Sequence, residues 1–526
     1  MNSLLLGWIV ATTLTSAAAF SQCTDLTPDL DLIPSTAASV NQSHVGDAVA
    51  FFGDRLIVGA AGHTVSGESS AGGVQIYRLV SGSWTEEQFL TKPSAIGGPE
   101  SQDHFGFAVA MQDTECAIGV PGHDGSGTDL GAVVIFTRSG TTWTYSQTLV
   151  GDSSLDEFGT SVAIQGDTLV IGAPTVNLGA QGGVGAVYIS TKSGGTWGTP
   201  VKLQAAAASP STGGHLGRSV ALDGTNVVGG APWDVTTLGV GRVYVFKKVS
   251  GTWGYDEELS TSDSTPAGDY FGMSVAISGD LIAVGASQDE ETGSLDGSIS
   301  FFRECSGSWT FEDEVVACDT DNTVQLGFSL ALTKSPGVEL AVAGGIGSDG
   351  VGAAFVYRNS SAGWQTLSRL VPTSPTNGDD FGTSVASIGF RIAAGVPGDD
   401  SNGTNSNVGE VAIFEPGWCA EDLDADGEVG SADLAELLGA WGACSGCAFC
   451  FADLDGDQQV GSSDLAILLG AWDCGVGFRG EGESPLEIAL SQLGFEDVEA
   501  ISAWLENATE EEALGAGVAL LQLLEN

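Results

Sequence analysis

Residues 158–174 read FGTSVAIQGDTLVIGAP, and this stretch decides the fold. Apolar residues alternate with small or polar ones on either side of Gly166-Asp167, which is the pattern of two antiparallel strands joined by a tight turn. A glycine-rich loop leads to a third strand-like segment, residues 186–189, and a fourth begins near Trp197. The unit therefore predicts four antiparallel strands.

The pattern recurs at intervals of 53 to 60 residues, so the chain contains seven repeats. In six of them a second glycine follows thirteen residues after the opening glycine, and only the sixth breaks this spacing, through an insertion around residues 334–337. The opening glycines are Gly46, Gly106, Gly159, Gly217, Gly272, Gly327 and Gly382. Each repeat also has a tryptophan near its fourth strand or its end: Trp84, Trp143, Trp197, Trp253, Trp309, Trp364 and Trp418.

Seven four-stranded units predict a mainly all-β fold, a seven-bladed β-propeller, because radial closure protects the edges of its sheets. The seventh repeat stops at Trp418 without a fourth strand. Leu32-Ile33 stands 13 to 14 residues before the first opening glycine, which is the spacing of a fourth strand elsewhere. We therefore expect residues 29–33 to complete the last blade of a propeller over residues 29–418. An open solenoid is the alternative.

The recurring Phe-Gly pairs and the segments Gly172-Ala173-Pro174 and Gly230-Ala231-Pro232 resemble the FG-GAP repeat family, whose propeller also occurs in integrin α subunits. Repeats of the integrin type often hold a calcium loop between these two signatures. Here that interval is a two-residue turn such as Gly166-Asp167, which cannot wrap a cation. The resemblance therefore implies the propeller but no calcium site in its blades.

Charge and the N-terminal segment bear on location. The chain has 67 acidic and 16 basic side chains, a formal charge of -51, which argues against nucleic-acid and anionic-lipid partners. Residues 1–19 are apolar and end in Ala17-Ala18-Ala19, as a cleaved secretory signal does. No later stretch is long and apolar enough to span a membrane. These features predict a secreted, extracellular or cell-surface protein, in which nine cysteines favour disulfides.

Candidate chemistry on the propeller is sparse. His44, His104 and His215 occupy one polar position two residues before an opening glycine, which favours a structural role. The loops after the second glycine are expected to form a ligand face for a protein or glycan; they include His123-Asp124, Asp289-Glu290-Glu291 and Asp399-Asp400. Trp233 in the fourth such loop would stack on a sugar or partner, or pack beneath its own loop.

Beyond Cys419 the sequence contains two twelve-residue calcium loops, 31 residues apart. Carboxylates at positions 1, 3, 5 and 12 and a carbonyl at position 7 supply the oxygen ligands that Ca²⁺ takes. The predicted ligands are Asp422, Asp424, Asp426, Glu428 and Asp433, then Asp453, Asp455, Asp457, Gln459 and Asp464. Gly427 at position 6 allows the sharp turn, whereas Gln458 in the second loop is expected to strain it. Helices are expected over residues 434–441 and 465–472.

Two such loops, each followed by a helix, resemble the dockerin type I family over residues 419–475. The resemblance implies calcium binding and docking to a cohesin-like partner, in a polysaccharide context. The recognition positions correspond to Ser431-Ala432 and Ser462-Ser463, but the basic residues of the following helix are absent. Cys419, Cys444, Cys447, Cys450 and Cys474 bracket the loops and favour disulfides over zinc or an iron–sulfur cluster.

The rest of the chain is a linker, residues 476–485, and an acidic tail, residues 486–526, with helical periodicity and Thr509 as an N-cap. The tail would pack on the module or bind a partner. Neither a His-Glu-x-x-His zinc helix nor a Gly-x-Ser-x-Gly elbow is present. We therefore expect an extracellular binding protein with no catalytic residues; the alternative is a secreted enzyme or accessory protein of polysaccharide degradation whose site lies on the propeller loops.

Overall fold

The fold is taken from a computed structural model, which describes residues 24–35, 42–125, 128–203, 211–234, 241–260, 268–289, 296–318, 324–347, 350–400, 407–444, 449–472, 474, 485–495, 497–505 and 507–524. Several sequence predictions lie outside these residues: the signal segment 1–19, the linker up to residue 484, Glu290-Glu291 and Cys447.

Two short strands precede the blades, β1 (Asp25–Leu26) and β2 (Leu30–Leu32). Antiparallel sheets then follow one another along the chain. Blade one contains β3 (Val45–Phe52), β4 (Arg55–Ala60), β5 (Gly73–Val80) and β6 (Ser83–Leu90), and a 3₁₀ turn at Ser94–Ile96 leads to the next blade. Blade two contains β7 (Val109–Gln112), β8 (Glu115–Val120), β9 (Ala132–Ser139) and β10 (Thr142–Val150).

The fourth strand of blade three is split in two. This blade contains β11 (Ser161–Gln165), β12 (Thr168–Ala173), β13 (Ala186–Ser193), β14 (Thr196–Trp197) and β15 (Val201–Leu203). Blade four contains β16 (Ser219–Asp223), β17 (Asn226–Ala231), β18 (Arg242–Val249) and β19 (Thr252–Leu259). Blade five contains β20 (Phe271–Ser278), β21 (Leu281–Ala286), β22 (Ser298–Cys305) and β23 (Ser308–Val316).

The N-terminal strands belong to the last two blades. Blade six contains β24 (Ser329–Ser335), β25 (Val338–Gly345), β26 (Ala353–Ser360) and β27 (Gly363–Leu370), and β1 adds a parallel edge strand that the sequence did not predict. Blade seven contains β28 (Val385–Ile388), β29 (Arg391–Val396) and β30 (Glu410–Phe414). Its outer strand is β2, with Leu30 opposite Ile413. Trp418 lies beyond β30 and packs against Phe390 instead of marking a strand.

The seven sheets form a closed ring, so the predicted seven-bladed propeller is confirmed and the solenoid alternative is wrong. One backbone bridge joins each blade to the next, and the bridge between Gly409 and Val45 joins blade seven to blade one. Apolar residues of neighbouring sheets pack between the blades. Phe105, Phe158, Phe271 and Phe381, which precede opening glycines, are each fully buried there.

The paired glycines of the repeat set the contact between blades. A Cβ atom added to the second glycine of any blade would lie 1.9 to 2.1 Å from the carbonyl oxygen of the next opening glycine. At five of the seven contacts a serine hydroxyl donates to that same carbonyl at 2.7 to 3.0 Å. Both positions of the contact are therefore glycine in every blade, because only hydrogen fits between the backbones.

A small helical module follows the propeller. It contains α1 (Ser431–Gly439), β31 (Gly442–Ala443), β32 (Gln459–Val460) and α2 (Ser462–Gly470), and the tail adds α3 (Pro485–Leu493), α4 (Val498–Leu505) and α5 (Glu510–Leu524). Both module helices begin three residues earlier than predicted. All five helices share one apolar core, with Leu434, Leu465, Leu490, Ile501 and Leu520 at its centre. The tail therefore packs on the module, which is one of the two roles that the sequence suggested for it.

The glycine contact generates a stability prediction. In Gly172→Ala the new Cβ would lie 2.0 Å from the Gly217 oxygen and 2.2 Å from the Ser161 hydroxyl, so the blades must separate. We expect a loss of about 3 kcal/mol in unfolding free energy, measured by urea titration. The control is Gly254→Ala on β19, where a Cβ would meet nothing within 4 Å and the change should stay below about 0.5 kcal/mol. Equal losses in the two variants would contradict the account.

Candidate functional site

The innermost strand of every blade borders a central channel with a cavity of about 760 Å³. The residue after each opening glycine lines this channel, so a single repeat position forms a ring around the axis. The seven ring residues are Asp47, Phe107, Thr160, Arg218, Met273, Phe328 and Thr383. The ring therefore contains one carboxylate, in blade one, and one guanidinium, in blade four.

The polar position two residues before each opening glycine is a backbone turn. In all seven blades this residue has φ between 51° and 60°, in the left-handed region. In six of the seven blades its carbonyl oxygen accepts a hydrogen bond from the amide three residues later, as between His215 and Arg218 at 3.1 Å; in blade six the Phe328 amide donates to the Gly344 oxygen instead. This geometry supports the structural interpretation of the position. The residues are His44, His104, Glu157, His215, Tyr270, Gln325 and Asp380.

An open cleft of about 1180 Å³ lies beside the channel, between the loops of blades two, three and four. We call the side of the propeller that carries these loops the loop face. Three of the left-handed turn residues, His104, Glu157 and His215, line the cleft together with Trp233 and Arg218. Because Arg218 lines both the cleft and the channel, the cleft lies at the channel mouth.

Trp233 is half-buried and its indole is held by two other rings. The His215 ring approaches it edge-on with centroids 5.1 Å apart, and the Tyr270 ring lies 5.5 Å away. The side chain therefore packs against neighbouring rings and also lines the cleft. The indole is consequently fixed in orientation before any ligand binds.

Charges in the cleft influence one another. Burial, and then the neighbouring Arg218 cation, lower the pKa of His215, so its ring is neutral at pH 7. Burial and the charge of Asp129 raise the pKa of Glu157, whereas Arg218 opposes that rise. Burial lowers the pKa of Arg218, and Glu157 opposes the shift. Arg218 was not predicted as a site residue, although it is the one basic residue at the ring position of the seven repeats.

Only some of the loop residues that were predicted for the ligand face are exposed on it. Asp124 is exposed and lines the cleft. His123, Asp289 and Asp399 are buried beneath their loops, so for these three the prediction is wrong. Their position begins each loop with a turn whose amide bonds back to the end of the strand, and this turn places the side chain inside the blade.

An acidic group at the start of blade two, in which Asp103 is buried and Glu100 is exposed, has a structural role. Glu100, Asp103 and His123 lie close enough to hold a metal ion. The Lys92 ammonium already binds there, 2.8 Å from Asp103 Oδ1 and 2.6 Å from Glu100 Oε2. Lys92 is 2% exposed, so a cation of the chain itself neutralises the carboxylates. We assign this cluster to the stability of blade two.

The first calcium-type loop is ordered by hydrogen bonds to its own carboxylates. Asp422 Oδ2 accepts the Gly427 amide at 3.0 Å. Asp433 accepts the Leu423 amide at 2.6 Å with one oxygen and the Gly430 amide at 2.7 Å with the other. The last bond also explains the early start of α1, because Asp433 holds the amide just before the helix.

The second loop repeats this arrangement bond for bond. Asp453 Oδ2 accepts the Gln458 amide at 2.9 Å, and Asp464 accepts the Leu454 and Gly461 amides, each at 2.7 Å. Gln458 has a φ of 71°, in the left-handed region that Gly427 also occupies. A residue with a Cβ is strained in this conformation. Each loop contains one such residue, Ala425 at position 4 of the first and Gln458 at position 6 of the second, and the other loop has glycine at the equivalent position.

The loops bring together some of the predicted ligands. In each, the carboxylates at positions 1, 3 and 12 have oxygens within 4.8 Å of one another: Asp422, Asp424 and Asp433, then Asp453, Asp455 and Asp464. The position-5 residues, Asp426 and Asp457, lie outside these groups and accept the amides of Glu428 and Gln459. Acidic clusters that could hold metal ions are therefore present in both loops.

Burial makes the ionised form of these carboxyl groups unfavourable when no counter-ion is present. It raises the pKa of Asp422 to about 6, although the nearby Arg358 cation opposes the rise. Burial also raises the pKa values of Asp433 and Asp464, against the lowering effect of their backbone hydrogen bonds. A hard divalent cation would satisfy such oxygens, so the residues present fit the ion that the sequence implies.

Two disulfides close the module, as predicted. Cys419 pairs with Cys474 and Cys444 pairs with Cys450. Because their sulfurs are bonded to each other, Cys444 and Cys450 are not thiolate ligands for zinc or an iron–sulfur cluster. Cys305 and Cys318 are also disulfide-bonded, whereas Cys116 is a buried free thiol. Disulfides of this kind are consistent with an exported protein.

Blade six carries the module. The buried Arg358 side chain on β26 donates to the carbonyl oxygens of Cys419 at 3.0 Å and Ala420 at 2.8 Å. Its guanidinium also lies 3.8 Å from Asp422 Oδ2, the first residue of the first loop. The contact between Arg358 and the module was not predicted, because nothing at its position in the repeat indicates a partner so distant in the sequence.

The insertion of the sixth repeat contacts the second loop. It lengthens the hairpin of β24 and β25, whose turn is Pro336-Gly337. A Cβ on Gly337 would lie 2.6 Å from Leu454, and one on Gly456 would lie 3.0 Å from Pro336. The Lys334 ammonium lies 5.8 Å from the centroid of the Phe449 ring. The irregular repeat is therefore the one that holds the module.

Among the helices of the described residues, none is long and apolar enough to cross a membrane. Residues 148–190 and 253–302 match the FG-GAP repeat model. No curated protein shows a significant match to the chain. The matched stretches cover three strands of blade three and the passage from blade four into blade five. They include Phe158-Gly159, Gly172-Ala173-Pro174 and Phe271-Gly272, whereas Gly230-Ala231-Pro232 lies between them. The chain thus carries FG-GAP repeats within a seven-bladed β-propeller.

Proposed function

We propose that the protein is a secreted, non-catalytic binding or adhesion protein. Its propeller presents a ligand site on the loop face, and its C-terminal module binds two calcium ions. The observation that carries this proposal is the pair of equivalent loops, in each of which three carboxylates, two of them buried, lie close together. Arg358 lies beside the first group, 3.8 Å from Asp422 Oδ2. The cleft at the channel mouth supports the ligand role of the loop face.

Calcium is the ion that the donor set favours. In the first loop Asp422, Asp424, Asp426 and Asp433 offer carboxylate oxygens and Glu428 offers its carbonyl; in the second the donors are Asp453, Asp455, Asp457, Asp464 and the Gln459 carbonyl. No nitrogen or sulfur ligand stands in either set, which disfavours zinc. Bound calcium would neutralise the buried carboxylates that the fold otherwise leaves charged.

We further propose that the C-terminal module docks onto a cohesin-like partner. The first recognition-type pair, Ser431-Ala432, is exposed. In the second pair, the Ser462 hydroxyl donates to Glu510 Oε1 at 3.3 Å, so the start of α5 partly covers this position. A partner of the dockerin kind would therefore use the first pair. This asymmetry favours a single docking orientation.

Calcium binding is tested by titration calorimetry on the full chain. We expect two sites, with Asp433→Asn removing the first and Asp464→Asn the second. Gln458→Gly should raise the free energy of unfolding by about 1 kcal/mol, because it removes left-handed strain from the second loop. Asp256→Asn, on the outer strand of blade four, is the control. The absence of binding heat at millimolar calcium would defeat the metal assignment.

Arg358→Met tests the attachment of the module to blade six. The variant removes two charge-assisted hydrogen bonds while it keeps an apolar side chain of similar length. We expect amide exchange of residues 419–423 to accelerate roughly tenfold, whereas exchange in blades one to four stays unchanged. The control is Arg78→Met in blade one, which breaks an exposed pair with Asp54. Unchanged exchange at 419–423 would show that Arg358 does not hold the module.

The binding role itself is tested by incubating the purified protein with a panel of polysaccharides and extracellular proteins. The proposal expects retention on a ligand without release of product. Release of soluble sugars from a polysaccharide would instead identify an enzyme and overturn the non-catalytic assignment.

A further inference from the structure

The cleft at the channel mouth contains a guanidinium that has no direct partner in the part of the chain that the structure describes. Arg218 is half-buried, and within the described residues its side chain makes neither a hydrogen bond nor an ion pair of 4 Å or less. By contrast, the Arg303 guanidinium of blade five binds both Glu312 and Glu339. A partly buried guanidinium offers five donors in a planar fork, which matches a carboxylate in geometry and charge.

The ring position itself places Arg218 at the cleft. In the other blades this position holds residues without positive charge, so the guanidinium marks one sector of a sevenfold arrangement. It is also the only lysine or arginine among the described residues that line the cleft. A ligand with a carboxylate therefore has one point of attachment, and that point is fixed by the inner strand of blade four.

The wall of the cleft near Arg218 suits a sugar ring. Trp233 presents an indole whose orientation is fixed by His215 and Tyr270. Aromatic faces stack on the apolar side of a sugar, while polar groups around them bind its hydroxyls. The carboxylates of Asp129 and Glu157 and the hydroxyl of Thr175 line the same cleft and supply such groups.

We propose that the cleft binds a sugar residue that carries one carboxylate, a hexuronate, with the carboxylate on Arg218 and the ring against Trp233. This inference rests on the proposed ligand role of the loop face. The acidic groups of the cleft limit the ligand to a single negative charge near Arg218, because a polyanion would meet Asp124, Asp129 and Glu157. Sulfated glycans are therefore not expected to bind.

The test uses the full chain and pairs of disaccharides, measured by titration calorimetry. One member ends in glucuronate or galacturonate, and the other is its neutral counterpart, in which the carboxylate is an alcohol. We expect at least one uronate disaccharide to bind, and to bind roughly 10- to 100-fold tighter than its neutral counterpart, as a lost charge-assisted hydrogen bond implies. Failure of both uronates to bind at millimolar concentration overturns the inference.

Two variants test which side chains contact the carboxylate and the sugar ring. Arg218→Gln should reduce uronate affinity to that of the neutral disaccharide, and Trp233→Ala should weaken both members of a pair about tenfold. The controls are Arg78→Gln, at an exposed site of blade one, and Trp504→Ala in the tail helix α4. Because the Arg218 side chain has no direct partner among the described residues, its variant should unfold at the temperature of the unmodified protein. A tight uronate complex that survives Arg218→Gln overturns the assignment.

The outcomes separate this inference from the broader function. Equal affinity for uronate and neutral sugar, or binding of an acidic peptide alone, would overturn the uronate site and leave the ligand role of the loop face in place. Cleavage of the disaccharide would instead overturn the non-catalytic function.

Discussion

The contact between glycine backbones of adjacent blades is the constraint on which the structure depends. At every one of the seven contacts, the second glycine of one blade meets the opening glycine of the next at a distance that excludes a side chain. The rigid ring that results positions the loops between blades. The left-handed turn before each opening glycine then points a polar residue onto the loop face, and in blades two to four these residues line the cleft.

Much of this architecture was predictable from the sequence. Identical contacts around a closed ring require the same residues at regular intervals along the chain. The spacing of Gly159 and Gly172, and of their equivalents, identified the blades, and the unfilled strand after Trp418 identified a strand near Leu32 as the closing element. The two acidic loops were also readable, because the repeated spacing of their aspartates brings the carboxylates at positions 1, 3 and 12 together. Where a physical requirement repeats locally, sequence reasoning succeeds.

The contacts that occur once were not predictable. Arg358 donates hydrogen bonds to two carbonyl oxygens more than sixty residues away in the sequence, and no local sequence pattern indicates such a contact. The insertion at residues 334–337 was visible as an irregular spacing, but its contact with Leu454 required the arrangement of blade six and the module in space. Likewise, His123 was expected on the ligand face because its position follows a strand; the turn that buries it depends on hydrogen bonds between loop and strand.

Hydrogen exchange of the native protein tests the closed ring most directly. The amides of the opening glycines, among them Gly106, Gly217 and Gly382, are bonded within their blades and covered by the neighbouring one. The account predicts that they exchange only through global unfolding, with the same protection in blades one and seven as in blade four. Markedly faster exchange confined to blades one and seven would show an open ring and would contradict the account.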